Sequence, residues 1–325
     1  MTLETNIVLK DFIGNKTIAS NVIKSFNHSN YCGVWLLKGP KGVGKAKLAS
    51  NIISELFSIE NKKNLNELIH PDLFILQHNI KDKKFISVEN IRKVSSFLSK
   101  TSINSNYRVV LIDSLSEMNL FGYNALLKTI EEYNLDTSFF LIDHMITNIP
   151  KTIYSRCKTF TFKNLNNKNM QTLMNATNII KEEHYSYTIL SNGSIGEALR
   201  LQKFNALEHH EIYCKFIIGE NKLKLVNGLF KKKDANIYNI SFSILLRLLS
   251  LTLKSINDIK DLNILNQIEE RTVALLSKKL ACDEVFNLID NLNKNKQSTI
   301  DLNLDYFTSI NLFLNELKDN IDKNE

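Results

Sequence analysis

Proline numbers 3 in 325 residues and glycine 10. So few breakers exclude a collagen-like or turn-dominated chain and favour helix with few long loops. Cysteine is sparse too: Cys32, Cys157, Cys214 and Cys282 stand far apart, with no C-x-x-C pair. That spacing gives no disulfide framework and no usual zinc pattern, and it fits a reducing cytoplasm. The opening "MTLETNIVLKDFIGN" carries acids early and lacks a basic-then-apolar run, so no signal peptide is expected. The most apolar stretch, "SFSILLRLLSLTL", is broken by Arg247 and reads as too short and too polar to span a bilayer. No arginine-rich tract interleaved with aromatics is present, and "KKK" at 231–233 reads as a solvated loop. No internal repeat is visible.

What the chain does have is ordinary globular composition, 43% apolar and 23% charged, with length for two or three domains. Net charge is +7. A basic balance is compatible with nucleic acid without requiring it.

Residues 34–162 alternate short apolar runs with amphipathic stretches. "VWLL" (34–37), "DLFIL" (72–76), "YRVVLID" (107–113), "SFFLID" (138–143) and "KTFTF" (158–162) read as strands. "AKLASNIISELF" (46–57), "SVENIRKVSSFLSK" (87–100, with Ser87 as N-cap) and "NLFGYNALLKTIEEY" (119–133) read as helices. This β-α-β-α-β order implies a parallel sheet covered by helices. Strand signals fade after about residue 163. A small helical module is expected at 164–205 and a helical bundle at 206–325, both with soft boundaries.

"GPKGVGKA" at 39–46 spells seven of the eight residues of a phosphate-binding loop, G-x-x-x-x-G-K-[ST]. In such a loop backbone N–H groups and a helix N-terminus converge on anionic oxygens. Gly39, Gly42 and Gly44 permit the turn, and Lys45 reaches the terminal phosphates. The following hydroxyl normally binds Mg²⁺, but here the residue is Ala46. Asp113, at the end of a buried strand, fits the second acid of the site. The next position, where hydrolysing proteins often carry a water-activating Glu, is Ser114, and no acid follows until Glu117. Loss of a general base alone costs about 10²–10⁴ in rate. Weakened phosphate binding is compatible with what is left of the loop; turnover is not expected.

Three further stretches follow in order: "NALLKTIEE" (124–132), "KTIYSRCKTFTF" (151–162) with Ser155-Arg156-Cys157, and "SNGSIGEALRL" (191–201). With the degenerate loop, they resemble the delta-prime family of DNA polymerase III clamp-loader subunits, of the AAA+ class, over about residues 10–205. The resemblance implies an AAA+ α/β P-loop domain with a parallel sheet (1–163), an all-α lid (164–205) and an all-α collar used for oligomerisation (206–325). It implies a five-subunit assembly that uses ATP to open a sliding clamp and close it on primed DNA. Partners would be gamma/tau-type ATPase and delta-type subunits, with clamp and DNA met through the complex. It makes Arg156, with Ser155 and Cys157 in its motif, an arginine finger for a neighbour's ATP site. Motor subunits carry a sensor arginine at the position of Gly196, so hydroxyl, base and sensor are all missing here.

The chain departs from the family elsewhere. It lacks the cysteine cluster that holds zinc in many relatives, so no zinc is expected; no cofactor is expected to be required, and residual ATP or ADP binding stays open. Glu131-Glu132-Tyr133-Asn134 replaces "EEPP", "IPK" precedes Thr152, and Asp143 replaces a small polar sensor. An active P-loop ATPase motor of a clamp or helicase loader is the alternative; Ala46, Ser114 and Gly196 argue against it. A small-molecule P-loop kinase is disfavoured by the long helical final third and the Ser-Arg-Cys context.

Overall fold

The computed structural model describes residues 3–10, 12–59, 65–77, 86–100, 107–133, 137–145, 149–220, 223–230, 234–259 and 262–323. The lysine run at 231–233 lies outside them. Compactness divides the chain into two units. One comprises Met1–Asn178 with Asn192–Glu197, and the other Ile179–Ser191 with Ala198–Glu325. The expected 164–205 segment is thus shared between both.

In the first unit five strands form one parallel sheet: β1 (Gly33–Lys38), β2 (Leu73–Gln77), β3 (Arg108–Asp113), β4 (Thr137–Asp143) and β5 (Lys158–Thr161), in the order β2-β3-β4-β1-β5. All seven positions of β4 are buried, as expected for a central strand covered on both faces. The strands' alternate residues separate two cores. Trp35, Leu37, Val109, Leu111, Phe140 and Ile142 pack with α1 (Thr5–Val8), α2 (Lys16–His28) and α3 (Lys45–Leu56). Val34, Leu36, Val110, Ile112, Phe139 and Leu141 pack with α4 (Val88–Leu98), α5 (Leu120–Tyr133) and α6 (Lys151–Tyr154). Ser87 caps α4 as expected, its hydroxyl accepting from Asn90 N. α7 (Asn167–Met174) completes the unit's helices before the chain leaves it.

β4 lies between β1 and β3, and this decides where the chemistry gathers. The loop after β1 and the acid ending β3 flank the end of β4, at the carboxyl edge where parallel sheets hold ligands. The unit also ties Asn15, just ahead of α2, to Lys163. Asn15 Nδ2 donates to the Lys163 carbonyl (2.9 Å), and Lys163 N donates back to Asn15 Oδ1 (3.1 Å).

The remaining helices are α8 (His184–Leu190), α9 (Ile195–Lys203, which crosses the division), α10 (Ala206–Ile217), α11 (Leu223–Leu229), α12 (Ala235–Ile256), α13 (Gln267–Lys279), α14 (Cys282–Asp301) and α15 (Tyr306–Lys323). At 22 residues α12 is long and apolar enough by length and composition to cross a membrane. This corrects the expectation that its apolar stretch is too short, because helix continues on both sides of it. Half of its apolar window is buried in the protein. Arg247 within it joins the wholly buried Glu269 of α13: Nε lies 2.8 Å from Oε1 and Nη2 3.1 Å from Oε2. His210 Nε2 of α10 lies 2.9 Å from Oε1. Burial alone would raise the Glu269 carboxyl, but hydrogen bonds from His210 and Arg247 outweigh it and hold it at about 2. Three helices are therefore fixed by one ionised group.

Candidate functional site

The glycine loop leaves β1 and enters α3 directly. Gly39, Gly42 and Gly44 take φ of 146°, 80° and 103°, the left-handed region that L side chains avoid. Lys45 opens α3 and is only 2% exposed. Its Nζ donates to the loop's own carbonyls, Gly39 O at 2.6 Å and Pro40 O at 2.5 Å. Burial lowers its ammonium to about 8, against the raising influence of Asp113 and Asp143. Gly39 N donates to the Asp143 carbonyl at 3.1 Å, which fixes the start of the loop to β4.

A second segment clasps the same loop. Ser194 Oγ donates to Lys41 O (2.7 Å), and Gly196 N donates to Gly42 O (3.1 Å). The backbones meet so closely that a Cβ on Gly196 would lie 2.8 Å from Gly42 Cα. The position read as a missing sensor arginine is therefore one where any side chain collides with the phosphate loop.

Asp113 ends β3, and its Oδ1 lies 3.3 Å from His144 Nε2. Asp143 is 1% exposed; its Oδ1 accepts from Met145 N at 2.9 Å, while Oδ2 is buried without a hydrogen-bond partner. Ala46 is half-buried against the core and supplies no oxygen. Ser114 is buried, its hydroxyl 2.7 Å from that of Ser116. Glu117 ends a short 3₁₀ turn, Leu115–Glu117, and its carbonyl accepts from Ile86 N at 2.7 Å. Among the described residues no group of three His, Cys, Asp or Glu side chains is arranged to hold a metal ion. The turn's backbone and Lys45 are the groups that a phosphate would meet here, and Ala46 carries no hydroxyl to offer a metal.

Lys45, Asp113, the three glycines and Gly196 thus belong to one locality. Arg156 belongs to another. It follows the short α6 and Ser155, with its side chain 40% exposed. Nη2 lies 2.5 Å from Glu131 Oε1, and Nη1 donates to Thr152 O (3.2 Å) and Ser155 Oγ (3.4 Å). Cys157 turns inward: its thiol donates to Ile153 O at 3.0 Å, and burial pushes it up to about 12. It serves packing, not nucleophilic chemistry.

Glu131, His144 and Ser194 escaped the sequence reading as site residues. Glu131 alone left a signal, an acid doublet at the end of a helix where acids are disfavoured. His144 and Ser194 gain their partners only through strand order and chain crossing.

Residues 14–166 match the family described as DNA polymerase III, delta subunit. The stretch begins one residue before Asn15 and ends three residues after Lys163. The delta-prime subunit of Pseudomonas aeruginosa is 31% identical over 140 residues, 40% of this chain and 42% of that protein. The DNA polymerase III subunit gamma of Buchnera aphidicola (subspecies Schizaphis graminum) is 28% identical over 240 residues, 70% of this chain and 64% of that protein. The chain thus spans less than two thirds of the length of these relatives. Among solved structures, a DNA polymerase III gamma subunit-related protein of Thermotoga maritima superposes with a TM-score of 0.51 at 14% identity, covering 93% of this chain and 99% of that one. Over part of its length the chain is thus similar to DNA polymerase III delta, delta-prime and gamma subunits, and it shares its fold with the Thermotoga gamma subunit-related protein.

Proposed function

We propose that this chain is a non-hydrolysing subunit of the DNA polymerase III clamp loader that lends Arg156 to the ATP site of a neighbouring subunit. The observation that carries this reading is the contrast between its two motif cations. Lys45 is buried on its own loop, while Arg156 stands half-exposed outside that site. A guanidinium brought to a neighbour's terminal phosphate stabilises charge developing on the transferred phosphoryl oxygens. Ala46 and Ser114 supply neither a metal ligand nor a base for hydrolysis here, and Gly196 has no room for a sensor side chain. The partners are gamma/tau-type ATPase and delta-type subunits, with sliding clamp and primed DNA reached through the assembly in the cytoplasm. Within it, residues 164–205 serve as lid and 206–325 as collar. The chain requires no cofactor of its own; residual ATP or ADP at the loop is optional.

A second reading, an active motor subunit, is favoured by the length of the match to the Buchnera gamma subunit, 240 residues. The test is clamp- and primer-stimulated ATP hydrolysis by the reconstituted loader, with the wild-type chain and with Arg156→Ala, against the chain alone. A silent chain alone, with an assembled variant that loses a large share of turnover, supports the first reading. Hydrolysis by the chain alone supports the second.

A further inference from the structure

Arg156 is held by an acid placed where acids are disfavoured. Glu131 and Glu132 lie in the last turn of α5, at the negative end of the helix dipole, with no basic residue in that turn. Lys128, one turn back, meets Glu132 at 3.8 Å. Glu131 meets Arg156 instead, Oε1 to Nη2 at 2.5 Å, across 25 residues of chain.

Both partners rise from fixed backbone. Ile130, beside Glu131, is 1% exposed, and Ile153, three residues before Arg156, is fully buried. The Thr152 and Ser155 oxygens engage Nη1 and Glu131 engages Nη2, leaving Nε free to donate elsewhere. A flexible arginine is thereby given one direction. Because both side chains are half-exposed, the pair is weak enough to open or to be shared with an incoming anion. A buried pair would keep its cation.

We propose that Glu131 is a positioning residue for Arg156, holding the guanidinium oriented until a neighbour's nucleotide phosphate engages it. This rests on the finger reading given above. Ordering the side chain in advance removes part of the entropy lost when it meets the phosphate.

The test measures kcat and KM for ATP in the loader assembled from the full-length chain with its ATPase and delta-type partners. Glu131→Gln keeps shape and hydrogen-bonding reach but removes the charge. It is expected to lower kcat about two- to fivefold, the range of an exposed ion pair, with KM and the thermal midpoint unchanged. Glu131→Asp should recover part of the loss. In an Arg156→Ala background Glu131→Gln should do nothing further. If Arg156→Ala abolishes turnover and Glu131→Gln leaves kcat as it was, the finger stands and the positioning role falls. If Glu131→Gln costs as much without Arg156 as with it, raises KM alone or lowers the thermal midpoint, its role is structural and the proposal falls. If Arg156→Ala is silent, the finger reading itself fails, and this proposal with it.

Discussion

Lys45 and Arg156 are both cations of recognisable motifs, and the fold treats them oppositely. Lys45 lies inside, its ammonium on the carbonyls of Gly39 and Pro40, while Ser194 and Gly196 take the carbonyls of Lys41 and Gly42. Arg156 lies outside, on partners that water also reaches. A motif shows which charge is present. Burial shows whether that charge is committed inward or is available to another molecule.

The sharpest way to break this comparison is Arg156→Ala. At the neighbouring site that Arg156 is proposed to complete, the rate should fall on the order of 10³-fold or more, as for arginine fingers generally. Single-turnover hydrolysis in a loader with the other ATP sites disabled checks this. A loss under tenfold would make Arg156 a surface arginine.

Gly196→Ala attacks the other side. Its Cβ would lie 2.8 Å from Gly42 Cα, both backbone-borne, so one segment must move. The expected destabilisation is about 1–3 kcal/mol, as for overpacking, read by urea unfolding. A neutral result would show the clasp to be loose.

Lys45→Met sharpens the inward half through pH. The ammonium sits at about 8 in the fold against an ordinary 10.5, so the unfolded chain binds more protons between those values. The lysine's contribution is therefore most favourable above 10.5 and is lost as pH falls through about 8. The advantage of Lys45→Met over wild type should be largest near pH 7 and shrink as pH rises toward 10.5, by up to about 3 kcal/mol. Parallel unfolding curves at pH 7 and pH 10 decide it; a constant difference rejects the burial cost.

The smallest expected effect is Ala46→Ser. Restoring the hydroxyl leaves Ser114 and the clasped loop unchanged, so the chain alone should show no measurable ATP hydrolysis. Phosphate release above background would mean that Ala46 alone silences the site.

Much of this was legible in sequence where local rules decide. The five strands fall within a residue or two of the runs that announced them; for β1, β3 and β4 the reason is that a strand buried on both faces has to be continuously apolar. The Ser87 cap was legible because its partner, Asn90, is three residues away. α2 was not read as a helix. Its leading residue, Asn15, adopts φ 47° and makes no side-chain cap, since its amide is engaged by Lys163 148 residues later. At the candidate site, the glycine loop and the Ser-Arg-Cys triplet could be seen as strings. The clasp on Gly42 and the acid on Arg156 could not, because both join segments remote in sequence. Gly196 was legible as something missing, and only the backbone contact with Gly42 gives it a reason.

The paired hydrogen bonds between Asn15 and Lys163 make the intervening segment nearly a closed ring. Its beginning and end lie within one hydrogen bond of each other, on the surface, as exposed atoms. A segment whose two ends coincide can be opened elsewhere and resealed there without redrawing the sheet, which is the condition that circular permutation exploits.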